Sequence, residues 1–291
     1  MFKSDIYPHA KVLSKSAKST RVVDIGVGVY PSKAILTNVS VLGERKNASD
    51  IYLSVIVPAY NVSKDITNTL HRLQEYFSTQ PFTYEIIVAT DGPRDNTIEI
   101  AKNLIPEIKN LKVLERHKNR GKGFTVREGM LAASGRIRLF MDADNGTDIA
   151  HFDKMRSFFD RGYEVVISSR DPRDAPGGEE VRQPWWRRLF GNVGNLIIQL
   201  LTVRGIWDTQ NGFKAFRDTA AERIFKMAKI NRWAFDVEVL ALAQKFDYKI
   251  GIVSARWINS AQSSIKLSSY IHFLWEVVKI RWYLSRRKYN L

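Results

Sequence analysis

Leu53-Ser54-Val55-Ile56-Val57, stopped by Pro58, is the run on which the architecture turns. It is short, largely apolar and bounded by a breaker, as a strand buried on both faces of a parallel sheet must be. Lys64–Ser78 follows, with Ile66, Leu70, Leu73 and Phe77 at helical spacing. The same alternation then repeats. Strands are expected at Glu85–Ala89, Lys112–Glu115, Arg136–Met141 and Glu164–Ser168, with helices at Asn96–Ile105, Lys122–Ala133 and Ile149–Arg161. Strands alternating with helices predict an α/β fold, a mostly parallel sheet with helices on both faces.

Outside this block the pattern changes. Residues 170–183 are rich in Pro, Gly and charge and read as a long loop. Pro184 then opens a helix with apolar positions at Trp186, Phe190, Val193, Ile197 and Leu200, and Ser268–Lys288 reads as another helix, aromatic and basic. Residues 1–50 form a basic extension with 8 Lys/Arg against 4 Asp/Glu, and Arg21–Tyr30 and Ala34–Leu42 suit short strands. The expected organisation is an extension over 1–50, a catalytic domain over 51–255 and a C-terminal amphipathic segment over 256–291.

Composition narrows the function. The chain has 291 residues, 44% of them hydrophobic, enough for a substantial core. Without cysteine there is neither a disulfide framework nor thiolate chemistry. A net charge of +15 points to an anionic partner. Met1–Thr20 lacks the apolar core of a signal peptide, and no stretch of 18 uncharged apolar residues occurs, so no spanning helix is expected.

In an open parallel sheet, ligands bind beyond the carboxyl ends of the strands. Pro58-Ala59-Tyr60-Asn61, Asp91-Gly92 and Asp142-Ala143-Asp144 all fall there, although they are far apart in the chain. Asp142 and Asp144, at i and i+2 on an extended backbone, point to one side while Ala143 points away. Two such carboxylates repel unless a hard divalent cation lies between them, and Mg²⁺ or Mn²⁺ would also bridge a diphosphate. Two solvated loop acids are the plainer reading. Asp91 suits an acceptor for a base N–H or a ribose hydroxyl, or else a turn or cap, with Asp95 the better cap. In Asn119-Arg120-Gly121-Lys122-Gly123 the glycines permit close backbone approach, and Lys122 offsets phosphate charge at a helix start.

Ser54–Asn61, Glu85–Gly92, Asn119–Gly123 and Met141–Asp144 together resemble family 2 glycosyltransferases with the GT-A (Rossmann-like) fold. Val203–Lys214, containing Trp207-Asp208-Thr209-Gln210-Asn211-Gly212, and Arg232–Glu238 resemble the dolichyl-phosphate β-glucosyltransferase branch, to which dolichyl-phosphate mannose synthases are more distantly related. The resemblance covers about residues 51–285. It implies nucleotide-sugar contacts at Pro58, Tyr60, Asn61, Asp91, Gly92, Gly121, Lys122 and Ala143, and metal contacts at Asp142 and Asp144. It implies acceptor-phosphate contacts at Arg170, Arg187 and Asn211, a catalytic place for Gln210, and a place near the sugar for Asp236, as a hydroxyl ligand or, if the acceptor is not a phosphate, as a base. The mannose synthases carry a metal-binding Gln where this chain has Gly146, which leaves Asp148 as a weak candidate for a third ligand.

The resemblance implies an inverting transfer of a hexose, with glucose from UDP-glucose the best guess, to dolichyl or another polyprenyl phosphate. Alternatives are mannose or N-acetylhexosamine as the sugar, or a glycan or lipid hydroxyl as the acceptor, and convergence of Arg170 and Arg187 on the crevice would speak for phosphate. A basic nucleic-acid-binding module is the distant alternative, and no nucleic acid is expected because the cations are dispersed and no recognition motif appears. A peripheral location on the cytoplasmic face of an anionic membrane is expected, and a homo-oligomer is possible. Trp185-Trp186-Arg187-Arg188, and the stripe Ile271, Leu274, Trp275, Val278 and Trp282 with its neighbouring cations, suit an interfacial helix, or else both stripes pack on the domain.

Overall fold

The computed structural model describes residues 50–175, 194–255 and 267–289. The strands expected before residue 50, the start of the helix expected from Pro184, and Trp185, Trp186 and Arg187 lie outside the described residues. The first half follows the expected alternation: β1 (Leu53–Ala59), α1 (Ile66–Ser78), β2 (Tyr84–Thr90), α2 (Thr97–Asn103), β3 (Leu111–Leu114), α3 (Lys122–Ala132), β4 (Ile137–Met141), α4 (His151–Asp160) and β5 (Val165–Ser169). Helical residues 194–201 form α5, which buries Ile198 and leaves Leu196 and Leu200 exposed. Then come β6 (Phe213–Arg217), α6 (Asp218–Met227), α7 (Phe235–Lys245), β7 (Ile250–Ser254) and α8 (Leu267–Ser285).

These strands make one seven-stranded sheet in the order β3-β2-β1-β4-β6-β5-β7. It is mixed. β6 runs antiparallel to both β4 and β5, while the other pairs are parallel. Reading the chain as five strands therefore missed β6 and β7. Phe213-Lys214-Ala215-Phe216-Arg217 carries two cations in five residues and lacks the apolar continuity of β1.

Side-chain alternation along the strands builds two cores, one on each face of the sheet. Leu53, Val55, Val57, Leu139 and Met141 face α1, α2 and α4, where Ile66, Leu70, Leu73, Phe152 and Phe159 are buried. Ile56, Phe140, Val165, Ile167 and Phe216 face α3, α6 and α7. α7 is buried along nearly its whole length from Phe235 to Ala243, so it shows no amphipathic period in sequence. α8 covers this second core with Val277 and Ile280.

Candidate active site

The loops after β1 and β2 are laced together. Ala59 accepts the Asp91 N–H at 3.0 Å, and Asn61, at φ 53°, accepts the Arg94 N–H on its side-chain oxygen at 2.7 Å. Asp95 accepts the Ser63 and Thr97 N–H groups, each at 3.1 Å, which joins the start of α2 to the same lacing. Pro58 closes this edge within β1, and Tyr60 is exposed beside it.

Asp91 is buried, and backbone donors take up both of its carboxylate oxygens: Arg120 N–H at 2.7 Å and Gly121 N–H at 2.9 Å. Arg116 approaches it at 3.4 Å. Gly92 is held at φ 63°, and a Cβ there would sit 2.6 Å from the Asn119 nitrogen, so only glycine lets the β2 loop pass this close to residues 117–119. From sequence, Asp91 suits a ligand contact, a turn or a cap. In the structure its carboxylate holds the loop that leads into α3.

That loop delivers Lys122, the first residue of α3, to Asp142 at 2.5 Å. Burial pushes the Lys122 ammonium pKa down, but Asp142 and Asp236 together outweigh burial and the net shift is upward. Trp233 and Phe235 stand over the same ammonium, each ring centroid 5.9 Å away.

β4 ends at Met141, so Asp142 and Asp144 lie on the turn just beyond the strand, and the expected extended backbone is not what presents them. Two hydrogen bonds bend the chain there: Asp142 N–H to the Gly212 carbonyl at 3.1 Å, and the Thr69 hydroxyl to the Ala143 carbonyl at 2.6 Å. Ala143 still turns into the core. Asp144 accepts the N–H of Gly146 at 3.0 Å. Asp148 is engaged at the start of α4, accepting the Ala150 N–H at 2.8 Å and lying 3.8 Å from Arg72. Among the described residues no group of three His, Cys, Asp or Glu side chains forms a metal cage. Two carboxylates nevertheless fit a hard divalent cation that also takes diphosphate and water oxygens, the usual Mg²⁺ arrangement.

The far wall comes from β5, β6 and α7. Gly212 abuts Asp142 so closely that a Cβ would lie 2.1 Å from its Oδ2. Arg170, just after β5, forks onto Asp208 with two bonds of 2.8 Å. Burial opposes the Arg170 charge, but Asp208 outweighs it, with smaller pulls from Asp142 and Asp236, so its pKa is raised. Arg170 is thereby tied to the segment whose Gly212 abuts Asp142. Lys214 on β6 is fully buried and donates to Asp236 at 2.6 Å and to the Asn211 carbonyl at 2.5 Å. Burial pushes the Asp236 carboxyl up, and Lys214 and Lys122 only partly offset it. Gln210 is exposed on the turn. The side-chain nitrogen of buried Asn211 and the hydroxyl of buried Thr209 have no hydrogen-bond partner among the described residues.

Sequence reasoning assigned no role to Lys214, Asp208, Trp233 or Gly212. A lysine set among Phe213, Ala215 and Phe216 was the available signal, because a buried ammonium needs a carboxylate beside it.

Residues 54–225 match the sequence model of glycosyl transferase family 2. A dolichyl-phosphate beta-glucosyltransferase of Trichomonas vaginalis is 36% identical over 245 residues, 81% of this chain and 72% of that protein. Another, from Dictyostelium discoideum, is 34% identical over 253 residues, 82% of this chain and 77% of that protein. Among solved structures, glucosyl-3-phosphoglycerate synthase from Mycobacterium tuberculosis, in complex with Mn²⁺, UDP and phosphoglyceric acid, superposes with a TM-score of 0.54. It is 19% identical and covers 79% of this chain and 77% of that one, a likeness of fold. The family match spans more than half of the chain, the relatives span most of it, and the protein is a member of glycosyl transferase family 2.

Proposed function

We propose that the protein transfers glucose from UDP-glucose to dolichyl or a related polyprenyl phosphate, with inversion to a β-linked lipid phosphate sugar. The observation that carries this reading is the seam at Asp142. One carboxylate touches Lys122 of the donor-side loop and Gly212 of the loop that holds Lys214 and the Arg170 partner Asp208. Relatives that are dolichyl-phosphate beta-glucosyltransferases, at 36% and 34% identity, support this sugar and this acceptor.

The donor would lie with its nucleoside over the laced loops at Pro58, Tyr60, Asn61, Asp91 and Gly92, and its diphosphate toward Gly121, Lys122 and the Asp142–Ala143–Asp144 turn. Asp142 and Asp144 would hold Mg²⁺ or Mn²⁺, which when bound offsets the charge gathering on the leaving diphosphate. Lys122 adds a cation on the same side, and the carboxylates around it keep it protonated. The acceptor is a phosphate monoester, largely dianionic at neutral pH because its second pKa is about 6, so it needs no general base. The work left to the protein is to hold that anion in line with the anomeric carbon. Arg170 suits this task, because Asp208 fixes its guanidinium plane beside the crevice. The Asn211 amide nitrogen, without a partner among the described residues, offers a further donor in the same wall. Asp236, paired with the buried Lys214, would lie near the sugar.

Incubating the purified protein with a panel of nucleotide sugars and a short polyprenyl phosphate tests the reading. UDP release from UDP-glucose, matched by a phosphate-linked glucolipid, is the expected result. Turnover with a lipid alcohol or a glycan but none with the phosphate would replace it with the hydroxyl-acceptor alternative.

A further inference from the structure

α8 has two faces, and the described residues cover only one. Val277 and Ile280 are fully buried, with Phe273, Tyr283 and Leu284 packed against the same core. Glu276 accepts the Ala234 N–H at 3.0 Å, just ahead of α7. Beyond the helix, Tyr289 donates to buried Glu238 at 2.7 Å. α8 is therefore tied at two points to α7, the element that carries Asp236.

The other face has no cover among the described residues. Ile271, Trp275, Val278 and Trp282 are 65%, 66%, 44% and 48% exposed. With about 100° between successive residues, the four fall within a stripe roughly 60° wide. Lys279 and Arg281 lie about 80° to either side of that stripe, and both are exposed. Arg286, Arg287 and Lys288 add three exposed cations at its end. Over residues 267–289 the sole carboxylate is Glu276, which is committed to Ala234.

We infer that this face docks the protein on an anionic lipid surface, with α8 lying in the plane of the bilayer and without spanning it. No helix among the described residues is long and apolar enough to cross a membrane. Indoles on an apolar stripe, bracketed by cations and free of exposed acids, match the acyl boundary below and anionic headgroups above. Charge argues against a second copy as the occupant, because two such faces would bring the same cations together. The inference deepens the proposed function, since a polyprenyl acceptor stays in the bilayer and the ties to α7 would hold the crevice at a set height above it.

The test uses the full chain and two vesicle types, phosphatidylcholine alone and phosphatidylcholine with phosphatidylserine. Co-sedimentation at low salt is expected with the anionic vesicles and should fall steeply as salt rises. Trp275→Ala/Trp282→Ala should weaken vesicle partition at least about tenfold. Lys279→Gln/Arg281→Gln should also weaken it about tenfold or more. Both variants should bind UDP in solution as the wild type does, which separates lost docking from lost folding. Equal sedimentation with neutral and anionic vesicles overturns the inference. So does a Trp variant that still docks but converts a wild-type dimer to a monomer. Failure of glucosyl transfer with docking intact would sink the proposed reaction and leave this surface standing.

Discussion

The loops after β1 and β2 and the wall built from β5, β6 and α7 satisfy their carboxylates in opposite ways. In the first region Asp91 is satisfied chiefly by backbone N–H groups of Arg120 and Gly121, and Asp95 by those of Ser63 and Thr97. In the second, Asp208 and Asp236 are matched by cations, Arg170 and Lys214. A carboxylate held by the backbone shapes a loop, and its loss loosens whatever that loop binds. A carboxylate held by a buried cation cannot be removed alone, because its partner is left charged and dry. The two regions should therefore fail differently when mutated: the first in ligand affinity, the second in stability.

The largest expected effect is in the second region. Lys214→Met strands Asp236 and should cost about 3–5 kcal/mol of unfolding free energy in urea titrations. Adding Asp236→Leu should restore most of that loss. A single variant as stable as the wild type would break the distinction between the regions.

Asp142 lies where the regions meet and should behave as neither. Asp142→Asn or Asp144→Asn should lower turnover about 10²–10³-fold, the loss expected when a metal ligand at developing charge is removed. The melting temperature should hardly move, because both residues lie beyond the end of β4 and outside the core. Excess chelator should abolish transfer, and Mg²⁺ or Mn²⁺ should restore it. Full activity in chelator would remove the cation from the reaction.

Asp208→Asn should cost about 2–3 kcal/mol at neutral pH, the scale of a charged hydrogen-bonded pair. Its pH dependence sharpens the comparison. Burial pushes the Asp208 carboxyl up, but Arg170 outweighs burial and holds its pKa below the usual range. A carboxyl with a depressed folded pKa stabilises at pH above its unfolded value and loses that contribution as pH falls through the folded one. The gap between wild type and variant should thus be full at pH 7 and shrink below about pH 4. A gap that widens on acidification would reverse the assignment.

Asp91→Ala belongs to the first region. It should cost about 1–2 kcal/mol of stability, as the Arg120 and Gly121 N–H groups lose their acceptor. UDP affinity by calorimetry should fall about tenfold, while the KM for the acceptor stays close to the wild-type value. Unchanged UDP affinity would mean that the loop needs no help from Asp91. The smallest effect is expected at Thr209, whose buried hydroxyl has no partner among the described residues. Thr209→Val should leave stability within about 0.5 kcal/mol, so any fall in donor or acceptor affinity reports contact with the ligand.

Much of the first region was legible because its signals are local. Apolar runs ended by Pro58 or Thr90, and helices with a 3.6-residue period such as Ile66, Leu70, Leu73 and Phe77, depend on neighbours a few residues away. The second region resisted the same reading. β6 carries a buried lysine, α7 is buried on every side with two carboxylates among its apolar residues, and β7 is fully buried only at alternate positions.

The amino-acid sequence by itself determined the β/α alternation from 51 to 169, the clustering of Pro58–Asn61, Asp91 and Asp142–Asp144 at strand ends, and the likeness to family 2 glycosyltransferases. Tertiary structure alone decided which charges meet. Asp91 finds its donors 29 and 30 residues away at Arg120 and Gly121, and Arg170 finds Asp208 38 residues away. The reason is physical. Periodicity records which side chains must leave water, and the backbone satisfies most of that demand locally. A buried charge must find its complement wherever the sheet order brings one, and here the antiparallel insertion of β6 carries Lys214 beneath Asp236.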